Sequence, residues 1–293
     1  MILASPILNP KPKFGGHSSK SLAISTNPFL RCSFFTTKFS STLLKCHCGT
    51  HNKDTEGFSV LTSDIPWKTE SLWSTMALYM FNLHIPLGFG GLSIVSYLLH
   101  QPVLDPQTEA LSLLVIDILE LLATLFLLKS AIKPNNRLLD IFKANPVERN
   151  WLLASALGFG VLILLVFLTS IVVDGLYGIK DVNNLILKEM LVRSDISKGA
   201  CITVYCIITP ILEEMVYRGF MLASLASTMN WKQAVVISAA IFSAAHLSGE
   251  NFLQLFVIGC ILGCSYCGTG NLSSSILIHS LYNAFTLIIT FLS

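Results

Sequence analysis

Three polar groupings interrupt the apolar last third of this 293-residue chain: Glu213-Glu214-x-x-x-Arg218, Phe242-x-x-x-His246 and His279-x-x-x-Asn283. One acid at the centre of a membrane helix costs roughly 3 kcal/mol on insertion scales, so several on neighbouring hydrophobic segments call for a chemical reason. On a helix Glu214 and Arg218 lie one turn apart and can meet as an ion pair. Glu213 points about 100° away and is left for other work. Pro210 has no N–H, so the carbonyl of Cys206 is expected to lose its donor and the helix to kink or bind water there. Phe242 and His246 share one helical face, as do His279 and Asn283. Together these groups can hydrolyse an amide. Glu213 removes a proton from water, His246 holds that water or shares its proton, and His279 and Asn283 donate to the carbonyl oxygen as it becomes negative. The bland alternative is that both acids balance Arg218 and a loop cation, with each histidine bonded to a neighbouring helix. Tyr217 and Tyr282 are expected as hydroxyl donors or as interfacial anchors.

In this order, on separate hydrophobic segments, the signatures over residues 200–292 resemble those of the CPBP family, the CAAX prenyl protease and bacteriocin-processing (Abi) proteins, here as a plant plastid-type member. The resemblance implies an intramembrane endopeptidase, CAAX prenyl protease 2-like, acting on a membrane protein or lipidated peptide. It gives Glu213 and His246 the activation of water, and His279 and Asn283 the oxyanion site. Glu214, Arg218 and Phe242 become supporting residues. No cofactor is required on this reading. Zinc on Glu213, His246 and His279 is the alternative, because one Glu and two His make an accepted zinc set. Two other functions compete with hydrolysis. One is a non-catalytic plastid membrane scaffold or chaperone that keeps the motifs as a packed polar network. The other is a transporter using the acids as ion sites, against which the lack of an internal repeat counts.

The elements that must carry these residues are hydrophobic helices. The chain is 53% hydrophobic and 12% charged, too apolar for an ordinary soluble domain. The alternating pattern of a transmembrane β-barrel is absent. The expected class is therefore all-α, a polytopic transmembrane bundle of about seven spans with the catalytic core in the last four. The seven hydrophobic segments are 74–99, 110–132, 151–173, 199–222, 232–247, 251–268 and 272–292. The fifth and sixth are short for complete spans. Ser238-Ala239-Ala240, Ser243-Ala244-Ala245 and Gly259-x-x-x-Gly263 give those two segments small faces for close helix approach. Asp117 and Glu120 form a second acidic pair. It could line a water path or bind a cation, but the structural reading is preferred, with Lys129 or a polar group on another helix as partner.

Domain boundaries follow composition. Residues 1–53 hold seven Lys/Arg and no Asp or Glu, with abundant Ser and Thr, which reads as a plastid transit peptide. Residues 54–73 are expected as a linker, 74–198 as N-terminal transmembrane helices with their loops, and 199–293 as the catalytic membrane core. The destination is a chloroplast membrane, inner envelope or thylakoid. Without the first segment 12 basic residues face 17 acidic ones, so the bilayer is a partner and nucleic acid is not. Lys129, Lys133, Arg137, Lys143 and Arg149 cluster in the second loop and place it, with the mature N-terminus, on the side from which insertion starts. Segment 180–198 is either an interfacial amphipathic helix or a solvated connector.

Overall fold

The computed structural model describes residues 57–61, 64–134, 149–177, 184–249 and 251–293. The segment 1–53, expected as a transit peptide, and most of the basic second loop lie outside the described residues. All seven hydrophobic segments are helical. Among the described residues the fold is an all-helical membrane bundle with five helices long and apolar enough to cross a bilayer, or six if one bent pair is a single span.

Helix α1 (Leu72–Leu78) continues as a π-helical stretch, Tyr79–Phe89, and then as α2 (Gly91–Leu98). The two arms meet at a 50° bend. Pro86 supplies its cause by withholding an N–H. Gly90 makes the bend possible, since a Cβ there would lie 2.6 Å from Pro86 O. Helix α3 (Pro106–Ala131) starts on an Asp105 cap, whose carboxylate accepts from the N–H groups of Gln107 and Thr108, with proline at the first helical position as N-termini favour. At 1.5 Å per residue, its 26 residues reach about 39 Å, more than a hydrocarbon core of about 30 Å.

Helix α4 (Trp151–Tyr177) is nearly bare, with 6% of its apolar window buried. Its Leu152, Leu153, Leu157, Leu164, Phe167 and Ile171 are exposed, as a lipid-facing helix requires. Two short helices follow, α5 (Leu185–Arg193) and α6 (Asp195–Thr203). In α5, Leu187, Met190 and Leu191 are buried while Leu185, Ile186 and Val192 are exposed. Segment 180–198 is therefore helical from residue 185, and its first part lies outside the described residues.

Residues 195–226 form one continuous but irregular rod. Helix α6 passes through a π segment (Val204–Ile208), α7 (Thr209–Glu214), a second π segment (Met215–Leu222) and α8 (Ala223–Ala226). More than half of its window is buried, the largest share of any candidate span. Helix α9 (Trp231–Ala245) has 15 residues, about 22 Å of rise, which is short of a full span. The count of about seven spans is thus not reached by full-length helices among the described residues: the fifth segment is a short, partly buried helix packed on its neighbours. Helices α10 (Phe252–Thr269) and α11 (Leu272–Leu292) complete the bundle.

Close approach of α9 and α10 depends on glycine. A Cβ at Gly259 would lie 2.9 Å from the Ala239 Cβ, and one at Gly263 would lie 3.2 Å from Val235. The core around them runs through Leu212, Met215, Phe220, Met221, Val235 and Phe242.

The stretch expected as a linker is, in its described part, packed strapping. Trp67 is 2% exposed, donates from Nε1 to Ser224 Oγ at 2.6 Å and lies 5.0 Å from the Phe220 ring. Lys133 donates to Ile65 O and, through its backbone, to Pro66 O. The guanidinium of Arg149 donates to three carbonyls, those of Gly57, Phe58 and Gly268. Two cations read from the sequence as loop charges thus bind the strap, whose indole and aliphatic side chains drive it into the core.

Candidate functional site

Helices α7, α9 and α11 converge on Glu213. Its Oε1 lies 3.7 Å from His246 Nε2 and its Oε2 lies 3.7 Å from His279 Nε2. All three side chains are buried. The separations exceed the 2.7–3.2 Å of a direct hydrogen bond and suit a small polar molecule held between the groups.

The other ring nitrogen of each histidine is committed. His246 Nδ1 lies 2.7 Å from Phe242 O, one turn back on its own helix. A carbonyl only accepts, so this nitrogen carries the proton. His279 Nδ1 donates to Glu214 Oε1 at 2.9 Å. Both rings are thereby fixed with Nε2 toward Glu213, the way an outer partner orients an imidazole for chemistry. Neither Nε2 has a hydrogen-bond partner within the protein. Buried polar atoms are rarely left so, and here two of them face one carboxylate.

Glu214 serves the scaffold. Its Oε1 accepts from Arg218 Nη1 at 2.8 Å as well as from His279. Arg218 is fully buried, lies 4.4 Å from the Phe242 ring centroid and reaches Gly259 O with Nη2 at 3.3 Å. A buried ion pair contributes little net stability, but breaking one partner leaves an uncompensated charge. Phe242 carries the guanidinium on one side and packs 4.7 Å from the His246 ring. Helix α9 ends at this histidine, and Leu247 follows with φ of 51°, a left-handed conformation uncommon outside glycine.

Asn283 stands apart from Glu213 in its bonding. Its Nδ2 donates to Tyr205 O at 2.8 Å, while Oδ1 is buried without a hydrogen-bond partner. Pro210 has no N–H for the helix ladder, and Tyr205 O takes its donor from Asn283. The helix is in π register there, with Thr209 N–H donating to Val204 O five residues back.

Tyr217 and Tyr282 are buried inside the protein, which corrects their reading as interfacial anchors. Tyr217 packs edge-on to Phe242 at 5.2 Å and to Tyr79 at 6.4 Å, and its hydroxyl meets Met80 Sδ at 3.7 Å. The acidic pair on α3 finds partners on other helices. Asp117 accepts from Thr209 Oγ1 at 2.9 Å. Glu120 accepts from His84 Nδ1 at 2.9 Å and from Tyr79 OH at 3.3 Å. His84 was missed in the sequence; it lies 36 residues from Glu120, outside any local spacing. Among the described residues, no group of three or more His, Cys, Asp or Glu is disposed to hold a metal ion.

Residues 197–285 match the family described as Type II CAAX prenyl endopeptidase Rce1-like. The chain is also 29% identical over 143 residues to a Staphylococcus aureus (strain USA300) protein named membrane-embedded CAAX protease MroQ, an alignment covering 47% of this chain and 57% of that protein. The chain therefore spans little more than half the length of this relative. No solved structure matches. The matched region holds every residue of the three motifs, whereas α1 to α4 lie before it.

Proposed function

We propose that the protein is an intramembrane endopeptidase of the glutamate type, hydrolysing a peptide bond in a membrane-associated or lipidated protein. One observation carries the reading: a buried carboxylate set 3.7 Å from two imidazole Nε2 atoms whose Nδ1 positions are already occupied.

Glu213 accepts a proton from water, and the oxygen forms a bond to the substrate carbonyl carbon. The C=O π pair moves onto oxygen. The negative oxygen is met by His279 Nε2 when that nitrogen carries a proton. His246 Nε2 accepts from the attacking water and sets its direction. Collapse of the tetrahedral species breaks the C–N bond, and the amine leaves with the proton that Glu213 took up. Glu214 and Arg218 hold His279 throughout. These steps use side chains of the chain alone; zinc on Glu213, His246 and His279 is the alternative reading, which chelation tests.

The acid-free, hydroxyl-rich segment 1–53 supports a plastid membrane as the site of action, and the similarity to a named CAAX protease supports a lipidated substrate. The test uses the full chain in liposomes with membrane-anchored peptides, farnesylated and plain. Wild-type protein is expected to release a fragment, and Glu213→Gln to release none while inserting and melting normally. Equal cleavage by Glu213→Gln would overturn the reading.

A further inference from the structure

Helix α3 carries two acids that the fold treats differently, Asp117 and Glu120. We propose that Asp117 is a substrate subsite: its carboxylate, held by Thr209 one turn before Glu213, receives a cationic side chain of the peptide about two or three residues from the scissile bond. The proposal rests on the hydrolytic reading and adds a substrate preference to it.

Asp117 has an unmet charge. Glu120 is 2% exposed, and its carboxylate takes donors from His84 and Tyr79. Asp117 sits near the middle of the same membrane helix, half-buried, and accepts from the Thr209 hydroxyl at 2.9 Å. A carboxylate has room for about four donors, so one neutral hydroxyl leaves most of that capacity open. Among the described residues no lysine, arginine or histidine pairs with Asp117. Arg218 and His84 are already committed, to Glu214 and Glu120. An acid in mid-membrane is costly and is kept where it faces a partner or a polar cavity.

Its place points to the reaction centre. Thr209 and Glu213 are four residues apart on α7, hence on one face of the helix. Side chains at that spacing stand about 5–6 Å apart, which puts the Asp117 carboxylate within about 10 Å of the reacting one. The charges of the two acids act on each other. Glu213 in turn faces two buried imidazole nitrogens, Nε2 of His246 and Nε2 of His279, neither with a hydrogen-bond partner in the protein. Unsatisfied nitrogens there mark a place for a ligand. An extended peptide advances about 3.3 Å per residue, so with its scissile carbonyl at Glu213 a side chain about two or three residues along reaches Asp117. A lysine or arginine there gives the acid its missing counter-charge, while Thr209 keeps the carboxylate turned to receive it. A glutamate at that place would set two acids together without a cation.

The experiment uses the full chain in liposomes with fluorescent membrane-anchored peptides that carry lysine, methionine or glutamate at successive positions. Cleavage is read as kcat/KM, the cut is located by mass spectrometry, and binding is measured on Glu213→Gln. At one position near the cut, lysine is expected to exceed methionine by about tenfold in both readouts, with glutamate below both. Asp117→Asn is expected to bring the ratio to within about twofold of one, in cleavage and, combined with Glu213→Gln, in binding. Asp117→Lys should reverse it in favour of glutamate. A wild-type ratio near one at every position overturns the proposal, as does a ratio that survives undiminished in Asp117→Asn. If the wild type cuts nothing while lysine still binds Glu213→Gln best and Asp117→Asn removes that advantage, the hydrolytic reading fails and the subsite stands. If neither Asp117 variant inserts, the wild type decides: a preference for lysine over glutamate of about tenfold or more supports the proposal, and a smaller one overturns it.

Discussion

Among the described residues, imidazole–carboxylate sets occur in two places, made from the same kinds of side chain and held at different distances. Around Glu120 the pair is closed. His84 Nδ1 is 2.9 Å from the acid and Tyr79 adds a second donor. Around Glu213 both Nε2 atoms stay at 3.7 Å. A closed pair spends its hydrogen bond on holding helices together, here the bent N-terminal helix against α3. The wider spacing leaves the two Nε2 atoms with hydrogen-bonding capacity for a reacting molecule. Residue type alone does not separate a brace from a reaction centre; the spacing imposed by the backbone does.

The sharpest attempt to break this contrast exchanges the two acids for amides in turn. Glu213→Gln keeps shape and removes the base. It is expected to lower kcat by about 10²–10⁴, measured on a matched membrane-anchored substrate, with little change in Tm. A folded Glu213→Gln protein that retains normal turnover would erase the distinction.

Next in size is Arg218→Met, which removes the partner of Glu214 while filling much of the volume. Breaking one side of a buried pair is expected to destabilise by about 3–5 kcal/mol, seen as a lower melting temperature in detergent. Arg218→Met, Glu214→Leu should recover part of that loss, since neither buried charge remains. Glu120→Gln tests the closed pair. It keeps an acceptor for Tyr79 and loses a charge-assisted bond, so a stability loss of about 1–3 kcal/mol is expected, with kcat within a few-fold. Turnover falling as far as in Glu213→Gln would show that the brace takes part in the chemistry. Smallest of all is the effect of chelation. Exhaustive dialysis against a strong zinc chelator is expected to leave cleavage unchanged, and a loss restored by added zinc would replace the metal-free reading.

Much of the architecture was visible in hydropathy, because a membrane helix must satisfy its backbone internally and so announces itself as an apolar run. The juxtaposition of Glu213, His246 and His279 was legible too. Each motif has i, i+4 spacing, and the small faces at Ala239 and Gly259 mark where helices come close. What stayed hidden depends on register and on long-range partners. The π turn at Val204–Ile208 has no compositional signature, so the bond from Asn283 to Tyr205 O could not be read from spacing. A 15-residue apolar run reads much like a span, yet α9 is sheltered by α10 and the rod through Glu213. His84 sits in a stretch disturbed by Pro86 and meets an acid on another helix, a pairing that local periodicity cannot report.

The grip of Arg149 on Gly57, Phe58 and Gly268 carries a practical consequence. One guanidinium ties the end of α10 to residues far upstream, and two of its three acceptors belong to that upstream stretch. Gly57 and Phe58 are therefore part of the folded body. A form starting after Trp67 forfeits both the guanidinium's upstream acceptors and the indole, and is expected to melt at a lower temperature.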